Sequence, residues 1–176
     1  MVDFSLVKAE KLAKYHDLSN FDCEDEDIND FIKNDSLVYQ EKKIATTIIF
    51  IYNEEIIGFF SSAADSLKLK ADEEVKHDVD QKPIKEFPAV KIARVGRDKK
   101  YKGMKVGEKI LKWAIGHILE CSERVAVRFI TVDSYPKRVS YYEGLGYVKN
   151  NHVKYSSNSQ VQNISMRYDL FNSIQK

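Results

Sequence analysis

Cysteine is nearly missing from this chain. Cys23 and Cys121 are the only two among 176 residues, far apart and outside any CxxC spacing. A disulfide framework or a thiolate metal site is therefore not expected, and a reducing cytoplasm is the expected setting. Charge of one sign is missing too: 28 Lys and Arg stand against 27 Asp and Glu. Net charge thus points to no class of partner. No apolar run approaches the length of a membrane span; the strongest, "TTIIFI" at 46–51, is strand-sized. The opening "MVDFSLVKAEKL" lacks the basic and apolar regions of a signal peptide. No Walker A loop and no GxGxxG occurs, so ATP and dinucleotides are disfavoured.

Hydrophobic residues make up 43% and aromatics 11%, enough for a core. The length predicts a single domain over 1–176, with no internal repeat and no linker. "FSLVKAEKL" reads as a first strand. "CEDEDINDFIKND" reads as a helix with an acidic start, which suits the positive end of a helix dipole. A second short helix follows around Leu37 and Val38. "ATTIIFIYNEEIIGFFSSAA" reads as a hairpin turning at Asn53, Glu54 and Glu55. Residues 67–88 read as a long charged loop with little regular structure. "AVKIARV" is a strand. From Lys105 onward an apolar stripe (Val106, Ile110, Leu111, Ala114, Ile115, Ile118, Leu119) marks an amphipathic helix. "VAVRFITVD" is a strand. Pro136 starts a short helix that Gly146 ends, "SSNSQVQN" is a polar loop, and "ISMRYDL" is a last strand. The order predicts an α/β fold: a central mixed, mostly antiparallel sheet with helices on both faces. A right-handed parallel unit is expected over residues 90–133.

The charge that cancels overall is unevenly placed. Residues 91–112 hold nine basic and two acidic side chains, whereas 1–35 hold four basic and ten acidic. The basic stretch contains a strand, a turn with Gly103, and the mouth of the amphipathic helix. Free N–H groups and the helix dipole make such a mouth an anion cradle, and glycine allows close approach. The plainer alternative is that Gly103 makes a turn and the lysines solvate a helix face.

This stretch also resembles a family pattern. Lys102-Gly103-Met104-Lys105-Val106-Gly107 is similar to the Arg/Gln-x-x-Gly-x-Gly/Ala signature of the GNAT N-acetyltransferases. Lys102 stands where the pattern has Gln or Arg, and Lys105 stands where it has Gly. "ITVDSYPKRVSYYEGLGYVKN" resembles the strand and the "FYEKLGF" helix of the same family, with Tyr141, Tyr142, Glu143, Gly146 and Tyr147 in matching places. The resemblance covers essentially the whole chain. It implies a GNAT fold and acetyl-CoA as co-substrate, with no metal. The diphosphate would lie on amides at Met104, Lys105, Val106 and Gly107, near Lys102 and Gly103. The pantetheine would run along the strand end at Val95, Gly96 and Arg97, and the Val95 amide would face the thioester carbonyl.

Tyr142 is the residue that the resemblance places as general acid. A phenol with an ordinary pKa of about 10 is protonated at neutral pH and can protonate a departing thiolate. On pattern alone, packing on the core beside Val139 is the favoured reading. No general base is singled out; Asp65, Asp133 and Glu143 are the candidates by location. "FDCEDEDINDFIKNDS", "IGFFSSAADSL" and "FPAVKIARVGRDKKYKG" resemble a narrower GNAT branch that includes toxins acetylating aminoacyl-tRNA. That implies a charged tRNA as acceptor, a ribbon–helix–helix antitoxin as partner, and a homodimer, with no membrane. A small amine or a protein N-terminus is the alternative acceptor, and a non-catalytic binding module of the same fold is a further alternative. Ser61, Ser62 and Ala63 read as acceptor-groove or packing residues. Arg94 and Arg97 read as ion-pair or phosphate contacts. Glu24 to Asp27 read as a solvated helix start, and His77, His117 and His152 as surface residues.

Overall fold

Two β-branched runs meet at Asn53 and Glu54, which take φ of 48° and 64°. Positive φ at both central residues is the turn whose twist matches a hairpin. It joins β2 (Thr46–Tyr52) to β3 (Glu55–Leu67), paired from Tyr52↔Glu55 to Thr46↔Ser62 with a register shift at Phe50/Ile51. The structure, a computed structural model, describes residues 2–79, 84–151 and 163–171. Pro83, His152 and all of the 156–163 loop except Asn163 lie outside the described residues.

The other strands are β1 (Lys8–Lys11), β4 (Phe87–Arg97), β5 (Phe129–Ser134), β6 (Val148–Lys149) and β7 (Ile164–Asp169). The hydrogen-bonded order is β1-β2-β3-β4-β5-β7-β6. Strands β4 and β5 are parallel, as expected for the unit over 90–133, and the β1–β2, β2–β3, β5–β7 and β6–β7 pairs are antiparallel. This is the mixed, mostly antiparallel sheet the sequence predicts. By contacts the chain forms two compact units, Met1–Ala63 with Ile92–His117, and Ala64–Lys91 with Ile118–Lys176.

In the first unit, helix α1 (Glu26–Asp30) is capped by the Asp25 carboxylate, which accepts from the Ile28 amide at 3.2 Å. The two helices read from the sequence are joined without a break. A π-helical turn, Phe31–Asp35, leads straight into α2 (Ser36–Glu41). Leu12, Phe21, Phe31, Ile32, Ile49 and Phe59 form a buried cluster with Ile28, Leu37 and Ile56 packed on it. Each such side chain contributes about 1.5–3 kcal/mol on burial. Helix α4 (Val106–Ser122) buries Val106, Ile110, Leu111 and Ala114, as its periodicity predicts. Where it crosses β3, Gly58 leaves no room: a Cβ there would sit 2.4 Å from Ile110 Cδ1 and 2.8 Å from the Gly96 carbonyl oxygen. Backbone cannot yield as a side chain can. Gly58→Ala is therefore expected to lower the free energy of unfolding by about 1–3 kcal/mol, read from urea denaturation.

In the second unit, β5 pairs with β4 from Ala89↔Phe129 to Lys91↔Thr131 and with β7 along its length. Leu67, Phe87, Ala89 and Phe129 form its apolar cluster, with Leu69 and Val79 packed against it. The 67–88 segment corrects the sequence reading, because it contains a helix, α3 (Ala71–Lys76). What anchors it is charge, not an apolar stripe. Glu73 is 2% exposed and accepts from Arg167 Nη1 at 2.7 Å. His77 is likewise buried, at 6% exposure, and not a surface residue. A 3₁₀ turn with Pro136 first leads into α5 (Val139–Gly144), and Gly146 follows at φ 93°.

Candidate active site

The basic stretch is built on β4 and one carboxylate that the sequence reading passed over. Asp98, 3% exposed, accepts from the Lys100 amide at 2.9 Å and from the Asp22 amide at 3.1 Å. Its own amide donates to the Ile57 carbonyl at 3.0 Å. This fixes the 3₁₀ turn Lys99–Tyr101 that precedes the glycine loop. An Asp directly before a turn is the ordinary capping signal and was legible as such.

The acidic N-terminal stretch faces these bases. Lys99 Nζ lies 2.8 Å from Asp22, Lys102 Nζ 2.8 Å from Glu24, and Arg94 3.4 Å from Asp27. Lys100 Nζ and the Tyr101 hydroxyl each lie 3.0 Å from Glu55. Hydrogen bonds from Lys99, the Glu24 amide and Asn29 hold Asp22 well below the usual carboxylate range. These pairs are largely exposed, so each contributes about 0–1 kcal/mol. Their effect is to remove most of the polarity that the sequence counts imply. Arg97 donates to the Asp98 carbonyl at 2.7 Å, and Arg94 also stacks over Phe31 at 5.6 Å.

Lys105 differs from these: its side chain makes no ion pair or hydrogen bond among the described residues and it is exposed. Its backbone answers the question the family pattern raised. Lys105 sits at φ 58° and Gly103 at φ 79°. The loop is thus left-handed at both positions, with a lysine where the family pattern has glycine. Such a conformation costs an L residue about 1–2 kcal/mol. Lys105→Gly is expected to preserve acetyl-CoA affinity to within about threefold and not to lower thermal stability, since relief of strain offsets the added chain entropy. Calorimetry and a melting curve check both.

Beyond the loop, the Met104 amide donates to the Tyr101 carbonyl at 3.3 Å, and Lys109 is the next with a backbone acceptor, Lys105 at 3.1 Å. The amides of Lys105, Val106 and Gly107 therefore have no backbone acceptor among the described residues, as expected at the mouth of a 17-residue helix. Met104 is 41% exposed at the rim. Val95 and Arg97 are half-buried beside the buried Gly96. Gly96 is required by packing: a Cβ there would meet Phe59 Cε1 at 2.7 Å and Ile28 Cγ2 at 3.2 Å.

Tyr142 lies in the second unit on α5, 9% exposed. Its ring stands edge-on to Tyr141 (5.5 Å, 74°) and Tyr147 (5.4 Å, 75°). Its carbonyl accepts the amides of Leu145 and Tyr147 at 3.0 and 3.1 Å, which closes the helix beneath the ring. Burial, with a smaller contribution from Tyr141, pushes its pKa up to about 12. The group is a proton donor over the whole neutral range. Its hydroxyl has no hydrogen-bond partner among the described residues. The packing and the acid readings of Tyr142 are thus compatible: the ring packs and the hydroxyl remains available.

The base candidates are engaged. Asp133 is paired with the Lys91 ammonium, Asp65 accepts the Thr131 hydroxyl, and Glu143 lies 3.6 Å from Lys149. Ser61 is fully buried, its hydroxyl 2.5 Å from Thr47 Oγ1, which makes it a packing residue. His117 is half-buried and stacks on Trp113 at 5.0 Å. Neither Cys23 nor Cys121 forms a disulfide, and burial pushes Cys23 up to about 11. Among the described residues no cluster of His, Cys, Asp and Glu could hold a metal, and no helix is long and apolar enough to cross a membrane.

No protein-family model matches the chain. Solved structures do. AtaT complexed with acetyl-methionyl-tRNAfMet superposes with a TM-score of 0.79 at 20% identity, covering 96% of this chain and 97% of that one. A tyrosine-to-phenylalanine mutant of KacT gives 0.79 at 17% identity, covering 97% and 98%. A tyrosine-to-phenylalanine mutant of the AtaT toxin, bound to the C-terminus of the antitoxin AtaR and acetyl-CoA, gives 0.72 at 17%, covering 95% of each. With its sheet order and its strand–glycine loop–helix unit, the chain has the fold of the GNAT acetyltransferase toxins AtaT and KacT along almost its whole length.

Proposed function

We propose that the two units act as one domain that transfers the acetyl group of acetyl-CoA to a primary amine, the α-amine of an aminoacyl-tRNA. The observation that carries the reading is the row of unengaged amides at Lys105, Val106 and Gly107 behind a left-handed loop. It suits a diphosphate, and helix-mouth amides favour such an anion. Lys105 adds a cation whose ammonium makes no ion pair or hydrogen bond among the described residues. Lys102 reaches the same anion only by leaving Glu24.

Acetyl-CoA supplies an activated thioester. The Val95 amide, aimed at the charge developing on the carbonyl oxygen, contributes about 3–4 kcal/mol. The amine nitrogen forms a bond to the carbonyl carbon and the carbon–sulfur bond breaks. Tyr142 gives its hydroxyl proton to the sulfur as it leaves. The proton lost by the amine passes to water, because Asp133 and Glu143 are already ion-paired. An aminoacyl ester suits a site without a free base, since its amine is unusually acidic.

The acceptor follows from likeness to AtaT, whose structure holds acetyl-methionyl-tRNAfMet. The same likeness makes an antitoxin C-terminus the proposed protein partner. Incubation with labelled acetyl-CoA and a panel of charged tRNAs, peptides and polyamines tests the reading. Label on charged tRNA is expected. Label on peptides or polyamines alone would replace the acceptor, and label remaining on acetyl-CoA throughout would overturn the activity.

A further inference from the structure

Acetyl transfer makes no use of a group of ionisable side chains in the second unit. His77, just after α3, is buried between charged residues of three elements. Its Nδ1 lies 2.6 Å from Asp169 Oδ2. Its Nε2 receives a hydrogen bond from Arg167 Nε at 3.1 Å. A guanidinium nitrogen only donates, so Nε2 must be bare and the ring proton must sit on Nδ1, directed at Asp169. Two neighbours therefore fix the tautomer.

Charged groups from three elements face the ring among the described residues. From β7 come Arg167 and Asp169. Ahead of β5, Arg128 donates to the His77 carbonyl at 2.6 Å and to both Asp169 oxygens at 3.1 Å. From α3, Glu73 accepts from Arg167 Nη1 at 2.7 Å. The Phe129 ring stands edge-on at 5.2 Å and contributes no charge. A proton on Nε2 would set N–H against N–H at Arg167 and place a further cation beside two guanidinium groups in a buried cluster, which is costly.

We propose that His77 is an acid-released latch: protonation at Nε2 breaks its contact with Arg167 and frees α3 from β7. The carboxylates do not set the window. Burial raises the pKa of Asp169, but the hydrogen bonds from His77 and Arg128 outweigh it and hold the group below the usual range. Burial also raises that of Glu73, and the Lys70 amide and Arg167 outweigh it. Both carboxylates are therefore held in the ionised form at neutral pH, and the latch is set by whether Nε2 carries a proton. None of this depends on the acetyl-transfer reading.

Nitrogen NMR of the full chain at about pH 7.5 should show His77 neutral with its proton on Nδ1. An Nε2–H tautomer or an imidazolium there overturns the proposal. Hydrogen exchange of the Glu73–His77 amides, corrected for intrinsic rates, should speed up about tenfold or more between pH 7.5 and 5. Unchanged protection also overturns it. His77→Gln can serve both neighbours without titrating and should cut that ratio below about threefold; a ratio equal to wild type counts against the latch. Should this variant not fold, the two wild-type measurements decide.

Discussion

Tyr142→Phe lowers turnover by more than about tenfold at saturating acetyl-CoA and leaves acetyl-CoA affinity within about twofold. The reasoning is local. The substitution removes one oxygen from a ring held edge-on by Tyr141 and Tyr147, so the packing survives. What is lost is a proton donor with a pKa of about 12. A group acting only as an acid in the transition state affects the chemical step and not ground-state binding. The raised pKa adds a condition: the donor stays protonated as pH rises toward 10, so turnover should not fall across pH 7–9 on its account. Stopped assays with a charged tRNA or the best amine from the panel supply the numbers. Turnover within twofold of wild type would remove Tyr142 from this role and leave the ring as packing.

The second large effect concerns stability. Arg167→Met should lower the free energy of unfolding by about 3–5 kcal/mol. Arg167 and Glu73 are both 2% exposed, and the guanidinium also donates to the Lys149 carbonyl and Asn150 Oδ1, at 3.1 and 2.9 Å. Removing it strands the Glu73 carboxylate and takes a hydrogen bond from His77. At about 2–4 °C per kcal/mol for a chain of this size, the melting point should fall by about 6–20 °C. A double variant, Glu73→Leu with Arg167→Met, should recover at least half of the loss, because it removes both ions and not one. A single-variant loss under about 1 kcal/mol would mean that the pair is effectively solvated. The carboxylate side has a pH signature. The pKa of Glu73 is lowered on folding, so its stabilisation is present above the usual carboxylate range and fades as pH falls through the lowered value.

The parts of the fold that the sequence made legible are those with strong periodicity. The β2–β3 hairpin shows two β-branched runs around Asn53, and α4 shows an apolar stripe from Val106 to Ile118. Neither α3 nor β6 shows such a pattern. Helix α3 is "ADEEVK", docked through Glu73 and the adjacent His77, and Val75 is exposed at 63%. A helix held by buried charge presents no apolar face to read. Strand β6 has two residues.

The site was legible in a similarly uneven way. Gly103 and the helix mouth were visible from spacing, whereas the neutralising partners were not. Asp22 and Lys99 are 77 positions apart in sequence, and Glu24 and Lys102 are 78 apart. Counting charges by segment therefore implied a polarity that folding cancels. Lys105 was visible only as a departure from the family pattern. Its φ of 58° lies in the left-handed region that glycine adopts most readily.

Acetyl transfer by this chain requires coenzyme A to lie against the helix mouth, and amide NMR reads that contact directly. Titrating the labelled chain with acetyl-CoA should move the Lys105, Val106 and Gly107 amide resonances and saturate them at one equivalent. Resonances that stay still while acetyl-CoA is in excess, or that move only at residues remote from Gly103, would contradict it.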